Sequence, residues 1–283
     1  MFKILQKRVF SPIIKEFVVE APRVAKKCEP GQFVILRIHE EGERIPLTIA
    51  DFDREKGTIT IVFQEVGKTT MQLGAMEAGD YIKDFVGPLG EPSHIENFGT
   101  VVCVGGGVGI APVHPIARAL KEAGNEVIGI IGSRNKELLF WEDKMKEACS
   151  ELHVTTDDGS YVRQGFVTDV LKEIVEDRGK ENIAMVLTIG PQPMMKATCG
   201  TTKEYGLKTV VSLNSVMVDG TGMCGCCRVS IGGETKFVCV DGPEFDGHDV
   251  DWAELTRRGS IFKQEEQRAI ENHKCQCGCG GGK

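Results

Sequence analysis

Five short apolar runs, at residues 101–104, 127–131, 152–155, 185–189 and 209–211, recur about 25 to 30 residues apart, the spacing of strands joined by helical crossovers. Between them, residues 116–122, 166–175 and 194–203 have helical composition. Together they predict a doubly wound α/β domain with a parallel sheet over residues 99–212. Upstream the rhythm differs. Residues 2–9, 13–20, 32–38, 47–51, 58–64 and 81–85 are β-rich runs bounded by Gly, Pro and charged clusters, which predicts a small antiparallel β-barrel over residues 1–98. Beyond residue 212 glycine and cysteine dominate, and residues 213–283 are too few to build a core without a staple. The fold class is α+β multidomain: barrel, doubly wound domain, small C-terminal module.

Composition narrows the function. The 283 residues are 41% apolar and 27% charged, as in ordinary globular proteins, and the net charge of −7 excludes a nonspecific binder held by phosphate neutralisation. Residues 1–10 alternate charged and apolar types, and no run approaches the ~18 apolar residues of a membrane span. The expectation is a cytoplasmic protein with no nucleic-acid or membrane partner. Of eleven cysteines, seven (Cys224, Cys226, Cys227, Cys239, Cys275, Cys277 and Cys279) fall in the last sixty residues. In a reducing compartment such clustering points to metal ligation over disulfides, while Cys28, Cys103, Cys149 and Cys199 read as small buried hydrophobes.

Three motifs carry chemistry. The loop Gly105-Gly106-Gly107-Val108-Gly109-Ile110-Ala111-Pro112 follows an apolar run and opens a helical one. Glycines let backbone N–H groups approach a pyrophosphate, and a helix N-terminus adds partial positive charge. The alternative is a tight strand-to-helix turn. The run at 127–131 ends in no acidic residue and leads into Ser133, Arg134 and Lys136, whose cations suit a 2′-phosphate. A second loop, Gly190-Pro191-Gln192-Pro193-Met194-Met195, follows another strand of the same sheet, where such folds bind ligands; read alone it is a proline-rich helix start.

The third motif is the cysteine spacing. Two residues separate Cys224 from Cys227, eleven separate Cys227 from Cys239, and four separate Asp219 from Cys224. Plant-type 2Fe-2S proteins use C-x4-C-x2-C with a distant cysteine, and Asp219 in the first place reproduces that spacing. Two alternatives stand beside it: a zinc-stapled binding module with Cys226 as a fourth thiolate, or Asp219-Gly220 as a plain turn. Adjacent Cys226 and Cys227 point in different directions, so both are not expected on one iron.

The segment Arg44-Ile45-Pro46-Leu47-Thr48-Ile49 resembles the flavin motif of the ferredoxin-NADP reductase superfamily, and its spacing matches the electron-transfer subunits of dihydroorotate dehydrogenases. Val66-Gly67-Lys68-Thr69-Thr70 resembles that motif's second, phosphate-binding element. With Asp219 in place of the first cysteine, the chain resembles the small subunits of NADH-dependent reduced ferredoxin:NADP+ oxidoreductase and the related sulfide dehydrogenase more closely than it does the dihydroorotate dehydrogenase subunits. The resemblance implies a FAD barrel (1–98), a NAD(P)-binding domain (99–212) and a 2Fe-2S module with tail (213–283). It further implies that Arg44, Pro46, Leu47, Thr48, Ile49, Val66, Gly67, Lys68, Thr69 and Thr70 hold FAD, with Thr48 positioning flavin N5. Gly105, Gly106, Gly107, Val108, Gly109, Pro112, Ser133, Arg134, Gly190, Pro191, Met194 and Met195 would face NAD(H), and Asp219, Cys224, Cys227 and Cys239 would hold the cluster.

The implied function is electron transfer: hydride exchange between NAD(H) and FAD, then single electrons through the 2Fe-2S cluster. The implied partner is a large FAD and 4Fe-4S subunit in a heterodimer, where electron bifurcation occurs and through which ferredoxin is reached. Electron-transfer subunits of dihydroorotate dehydrogenase or sulfide dehydrogenase are the alternatives within the resemblance. The tail with Cys275, Cys277 and Cys279 lies outside the pattern, and its glycines and terminal position make a mobile tail the expectation.

Overall fold

The computed structural model describes residues 1–276, so Cys277 and Cys279 of the expected tail lie outside the described residues. The first unit runs β1 (Phe2–Ser11), β2 (Ile14–Glu20), α1 (Pro22–Ala25), β3 (Phe33–Arg37), β4 (Ile45–Asp53), β5 (Thr58–Gln64), α2 (Lys68–Ala75), β6 (Tyr81–Ile82) and β7 (Asp84–Leu89). Its seven strands pair antiparallel in the order β6-β1-β2-β5-β4-β3-β7. The two edge strands β6 and β7 are separated in sequence by Lys83 alone, whose N–H donates to Ile38 O at 3.2 Å. The chain itself therefore joins the sheet's edges, and the expected barrel is nearly closed. The run read as one strand over 81–85 serves two, because the backbone must change partners where the barrel closes.

Strand alternation sorts the barrel's faces. Val34, Leu36 and Ile49 sit in the barrel core with Ile45 and Leu47 against it, whereas Phe33 and Ile35 belong to a different apolar cluster outside the barrel. Since Thr48 pairs with Phe33 and Pro46 with Ile35, Pro46 and Thr48 share that outer face.

The second unit runs β8 (Thr100–Gly106), a 3-10 turn at Gly107–Gly109, α3 (Ile110–Glu122), β9 (Glu126–Ser133), α4 (Glu142–Ala148), β10 (Glu151–Thr156), α5 (Val167–Arg178), β11 (Met185–Ile189), α6 (Gln192–Tyr205) and β12 (Thr209–Ser212). β8 to β12 form a parallel sheet in the order β10-β9-β8-β11-β12. One face is covered by α3 and α4, the other by α5, giving the doubly wound arrangement. The order reverses between β8 and β11, which sets a crevice at their carboxyl ends.

The rest comprises β13 (Arg228–Ile231), β14 (Glu234–Phe237), α7 (Val238–Asp241), β15 (Glu244–Asp246), α8 (Trp252–Gly259) and α9 (Lys263–Gln276). β15 pairs antiparallel with β12 and completes the second sheet. The chain thus crosses the boundary expected at 212, and the cysteine module is the connection between two paired strands. It has no separate core: Cys227, Val229, Val238 and Cys239 pack with Phe33 and Ile35 of the barrel and Met195, Cys199 and Val211 of the second unit. A module this small covers its apolar residues by sharing a core with its neighbours. Among the described residues no helix is long and apolar enough to cross a membrane.

Candidate functional site

At the crevice between β8 and β11 lies a cleft of about 690 Å³. Gly106, Gly107, Val108, Ser133, Arg134, Gly190, Pro191 and Met194 line it, so three loops distant in sequence converge there. The glycines divide their work. A Cβ on Gly109 would meet Ile189 O at 2.3 Å, so this glycine lets the loop pack on β11. Gly107 has φ +55° and nothing within 4 Å of an added Cβ, so it is the open position.

Gly105, Gly109, Pro112 and Met195 do not line the cleft. Met195 is 1% exposed and packs in the shared core, because successive residues of α6 point about 100° apart and Pro193, Met194 and Ala197 take the side that faces the cleft. The sequence reading missed Ile14 and Gln64, which the barrel contributes, together with Asp157, Phe166, Thr168 and Asn214. Asp157 was findable in principle, as the first residue past the carboxyl end of β10. Its N–H donates to Ser133 O at 3.0 Å, and that of Asp158 to Arg134 O at 3.2 Å, which fixes this corner of the cleft. Partial desolvation pushes the Asp157 carboxyl above its usual range, with Arg134 pulling it down.

The two segments expected to hold flavin sit on the barrel. Arg44 is exposed just before β4, and Thr48 is half-buried with its hydroxyl unbonded among the described residues. Ile49 is 1% exposed in the barrel core, so its side chain faces away from any ligand on the outer surface. In the second element Thr70 Oγ1 accepts from Val66 N–H and Gly67 N–H, each at 3.0 Å, and Thr69 donates its hydroxyl to Glu43. The Val66 and Gly67 amides are therefore used locally. Those of Lys68, Thr69 and Thr70, in the first turn of α2, have no acceptor among the described residues and are free for phosphate oxygens.

The cysteine loop lies against the outer barrel face. Gly220 has φ +75°, and an added Cβ would meet Leu89 Cδ1 at 2.7 Å and Ile35 Cδ1 at 2.8 Å, so the turn presses on β7 and β3 beside the face that carries Thr48. Cys227 and Cys239 are buried with sulfurs 3.2 Å apart, too far for a disulfide and close enough to share one iron. Burial pushes the Cys239 thiol up to about 12. Cys224 is exposed; its N–H donates to Asp219 Oδ2 at 2.8 Å, while Thr221 N–H donates to Oδ1 at 2.9 Å. The Thr221 bond, with that from Cys224, holds the Asp219 carboxyl below its usual range. Two backbone bonds leave a carboxylate with further lone pairs, so Asp219 is both a turn former and an available oxygen ligand. Cys226 lies beside Cys224 and is half-buried, unlike Cys227, so the two adjacent cysteines do diverge. Among the described residues no three His, Cys, Asp or Glu converge on a single-ion site. The Cys227 and Cys239 sulfurs form one donor pair, and Asp219 and Cys224 lie together on the neighbouring turn, a set that a two-iron cluster could divide between its metals.

Comparisons with known proteins agree with this geometry. The iron-sulfur cluster binding domain of dihydroorotate dehydrogenase B matches residues 214–251, and the oxidoreductase NAD-binding domain matches 103–200. The dihydroorotate dehydrogenase B (NAD(+)) electron transfer subunit homolog of Thermotoga maritima is 47% identical over 269 residues, 95% of this chain and 94% of the relative. A chain of the NADH-dependent reduced ferredoxin-NADP oxidoreductase, solved for insight into flavin-based electron bifurcation, superposes with TM-score 0.91 at 45% identity, covering 96% of this chain and 97% of that one. The ferredoxin NADP+ reductase of Neisseria gonorrhoeae with bound FAD and NADP shares the fold: TM-score 0.59, 19% identity, 72% of this chain and 90% of that one. On these grounds the chain belongs to the family of dihydroorotate dehydrogenase B electron transfer subunits and their homologues, oxidoreductase subunits that join a FAD-reductase barrel to an NAD-binding domain and an iron-sulfur module.

Proposed function

We propose that the chain is the small subunit of a bifurcating oxidoreductase of the NADH-dependent reduced ferredoxin:NADP+ type, working with a large FAD and 4Fe-4S subunit. The observation that carries the reading is the placement of Thr48 and the cysteine loop on one outer barrel face, with an apolar rim beyond them. Met223 is 89% exposed, and Val218 and Val240 are 43% and 41% exposed around Cys224. Apolar residues grouped at the solvent side of a redox centre suit a protein partner.

Bound FAD would supply hydride exchange with the nicotinamide and single-electron delivery to a 2Fe-2S cluster. The chain's residues hold and align these groups. Lys68 and the amides of 68–70, with Arg44, would bind the FAD pyrophosphate, and Pro46 and Thr48 would flank the ring. Gly107 and the neighbouring loop amides would take the dinucleotide phosphates. Asp157 beside Arg134 offsets the cation that a 2′-phosphate would need and offers an acceptor to ribose hydroxyls, which supports NAD(H) as the nucleotide. Asp219 and Cys224 would hold one iron, and Cys227 and Cys239 the other.

Thr48→Ala is expected to slow flavin reduction by NADH about fivefold while FAD binding changes less, since one hydrogen bond of about 1 kcal/mol is lost among many contacts. Stopped-flow reduction beside FAD titration checks this; unchanged reduction kinetics would remove Thr48 from the flavin's reacting edge.

The purified chain, loaded with FAD and iron, is expected to oxidise NADH with an artificial dye but not to couple ferredoxin to NADP+. Adding the large subunit should restore coupling. Coupled turnover by the chain alone would overturn the subunit assignment.

A further inference from the structure

The turn from Cys224 to Cys227 is gripped from outside by two arginines. Arg228 Nη1 donates to Gly225 O at 3.3 Å, and Arg258 Nη2 donates to Cys226 O at 3.2 Å. Arg258 comes from α8, which begins at Trp252, just past the stretch 214–251 that matches the iron-sulfur domain. α8 is firmly placed: Asp251 caps it through Glu254 N–H at 2.9 Å, Leu255 is 4% exposed in the shared core, and Thr256 Oγ1 accepts from Gln192 Nε2 at 2.7 Å.

A trans peptide holds its C=O and the following N–H on opposite sides. Fixing the Gly225 and Cys226 carbonyls toward the arginines therefore aims the Cys226 and Cys227 amides the other way. Neither amide has an acceptor among the described residues. Arg258 Nε is likewise buried without a partner. Nε–H lies parallel to one N–H of the adjacent fork nitrogen, so this donor faces the same side as the group holding the cysteine turn.

We propose that Arg258 is a positioning residue for the iron-sulfur cluster: it orients the Cys226–Cys227 peptide so that the Cys227 amide donates to a cluster sulfur, which favours the reduced state. The inference rests on the reading of residues 219–239 as a cluster site. Hydrogen bonds to the sulfurs and nearby positive charge both raise a cluster's potential.

The test is an EPR-monitored redox titration of the FAD- and iron-loaded protein. Arg258→Gln is expected to keep wild-type iron content and to lower the equilibrium constant for cluster reduction about tenfold, a shift of about 59 mV for one electron. Arg257→Gln removes an exposed charge from the same helical turn and should change that constant less than twofold. A wild-type potential in Arg258→Gln, or an equal shift in Arg257→Gln, overturns the proposal. Should Arg258→Gln lose iron, Arg258→Lys keeps the charge without the fork; a lowered potential there supports the proposal, and a wild-type one overturns it. Wild-type protein that binds no iron would overturn the cluster site itself, a result separable from every outcome above.

Discussion

Replacing Gly107 by valine is expected to raise the apparent KM for NADH on the order of 100-fold while FAD and iron content stay at wild-type levels. Hydrogen bonds to charged groups contribute about 1.5–3 kcal/mol each, so holding a pyrophosphate off two loop amides weakens binding by at least about 3 kcal/mol, and 1.4 kcal/mol is tenfold. No protein atom lies within 4 Å of an added Cβ at this glycine, so the new side chain meets the ligand rather than the core. The residue also sits at φ +55°, where a β-branched side chain adds strain of about 1–2 kcal/mol confined to the loop. Gly109→Ala would be a poorer probe, because its Cβ collides with Ile189 O and displaces the whole loop. Anaerobic titration with NADH measures the effect; a wild-type curve for Gly107→Val would reduce the loop to a turn.

The second large effect is expected at Asp219. Asp219→Cys should retain a 2Fe-2S spectrum with a changed potential and EPR signal, since a thiolate is a softer ligand than a carboxylate. Asp219→Ala should make the cluster labile, with iron lost on gel filtration. The competing arrangement uses Cys226, which lies beside Cys224, and leaves Asp219 as the acceptor that shapes the turn through Thr221 and Cys224 amides. In that arrangement Cys226→Ser is the damaging change and both Asp219 variants keep normal signals. Iron content and EPR of the three variants separate the two, and the second pattern would sink the Asp219 assignment.

The parallel sheet was legible because its strands are apolar and evenly spaced, whereas the reversal between β8 and β11, which sets the cleft proposed for the nucleotide, is visible only in the fold. Harder to read were residues whose role depends on tertiary placement. Ile14 and Gln64 belong to barrel strands by pattern, and only the docking of the two units turns them toward the cleft. Met194 and Met195 are equivalent in composition, and helix phase alone separates a cleft residue from a core residue. In the segment proposed to hold flavin, period-two alternation places Ile49 inside and Thr48 outside, a distinction the sequence carries but which needed the register Thr48↔Phe33 to become visible. Arg258 has no signal in the sequence at all: its partner is a backbone carbonyl thirty-two residues away.

The position of the cysteine module between β12 and β15 bears on how the protein is made. Until Glu244–Asp246 leaves the ribosome, the β12 edge of the second sheet has open N–H and C=O groups, and Phe33, Ile35 and Val211 lack their covering residues. Every cysteine proposed to hold iron lies in the segment that must settle before that edge is closed. Folding of the cysteine segment and completion of the sheet are therefore linked through the chain. A chain released before residue 244 would present a sticky strand edge beside an apolar surface, a natural substrate for chaperones and proteases.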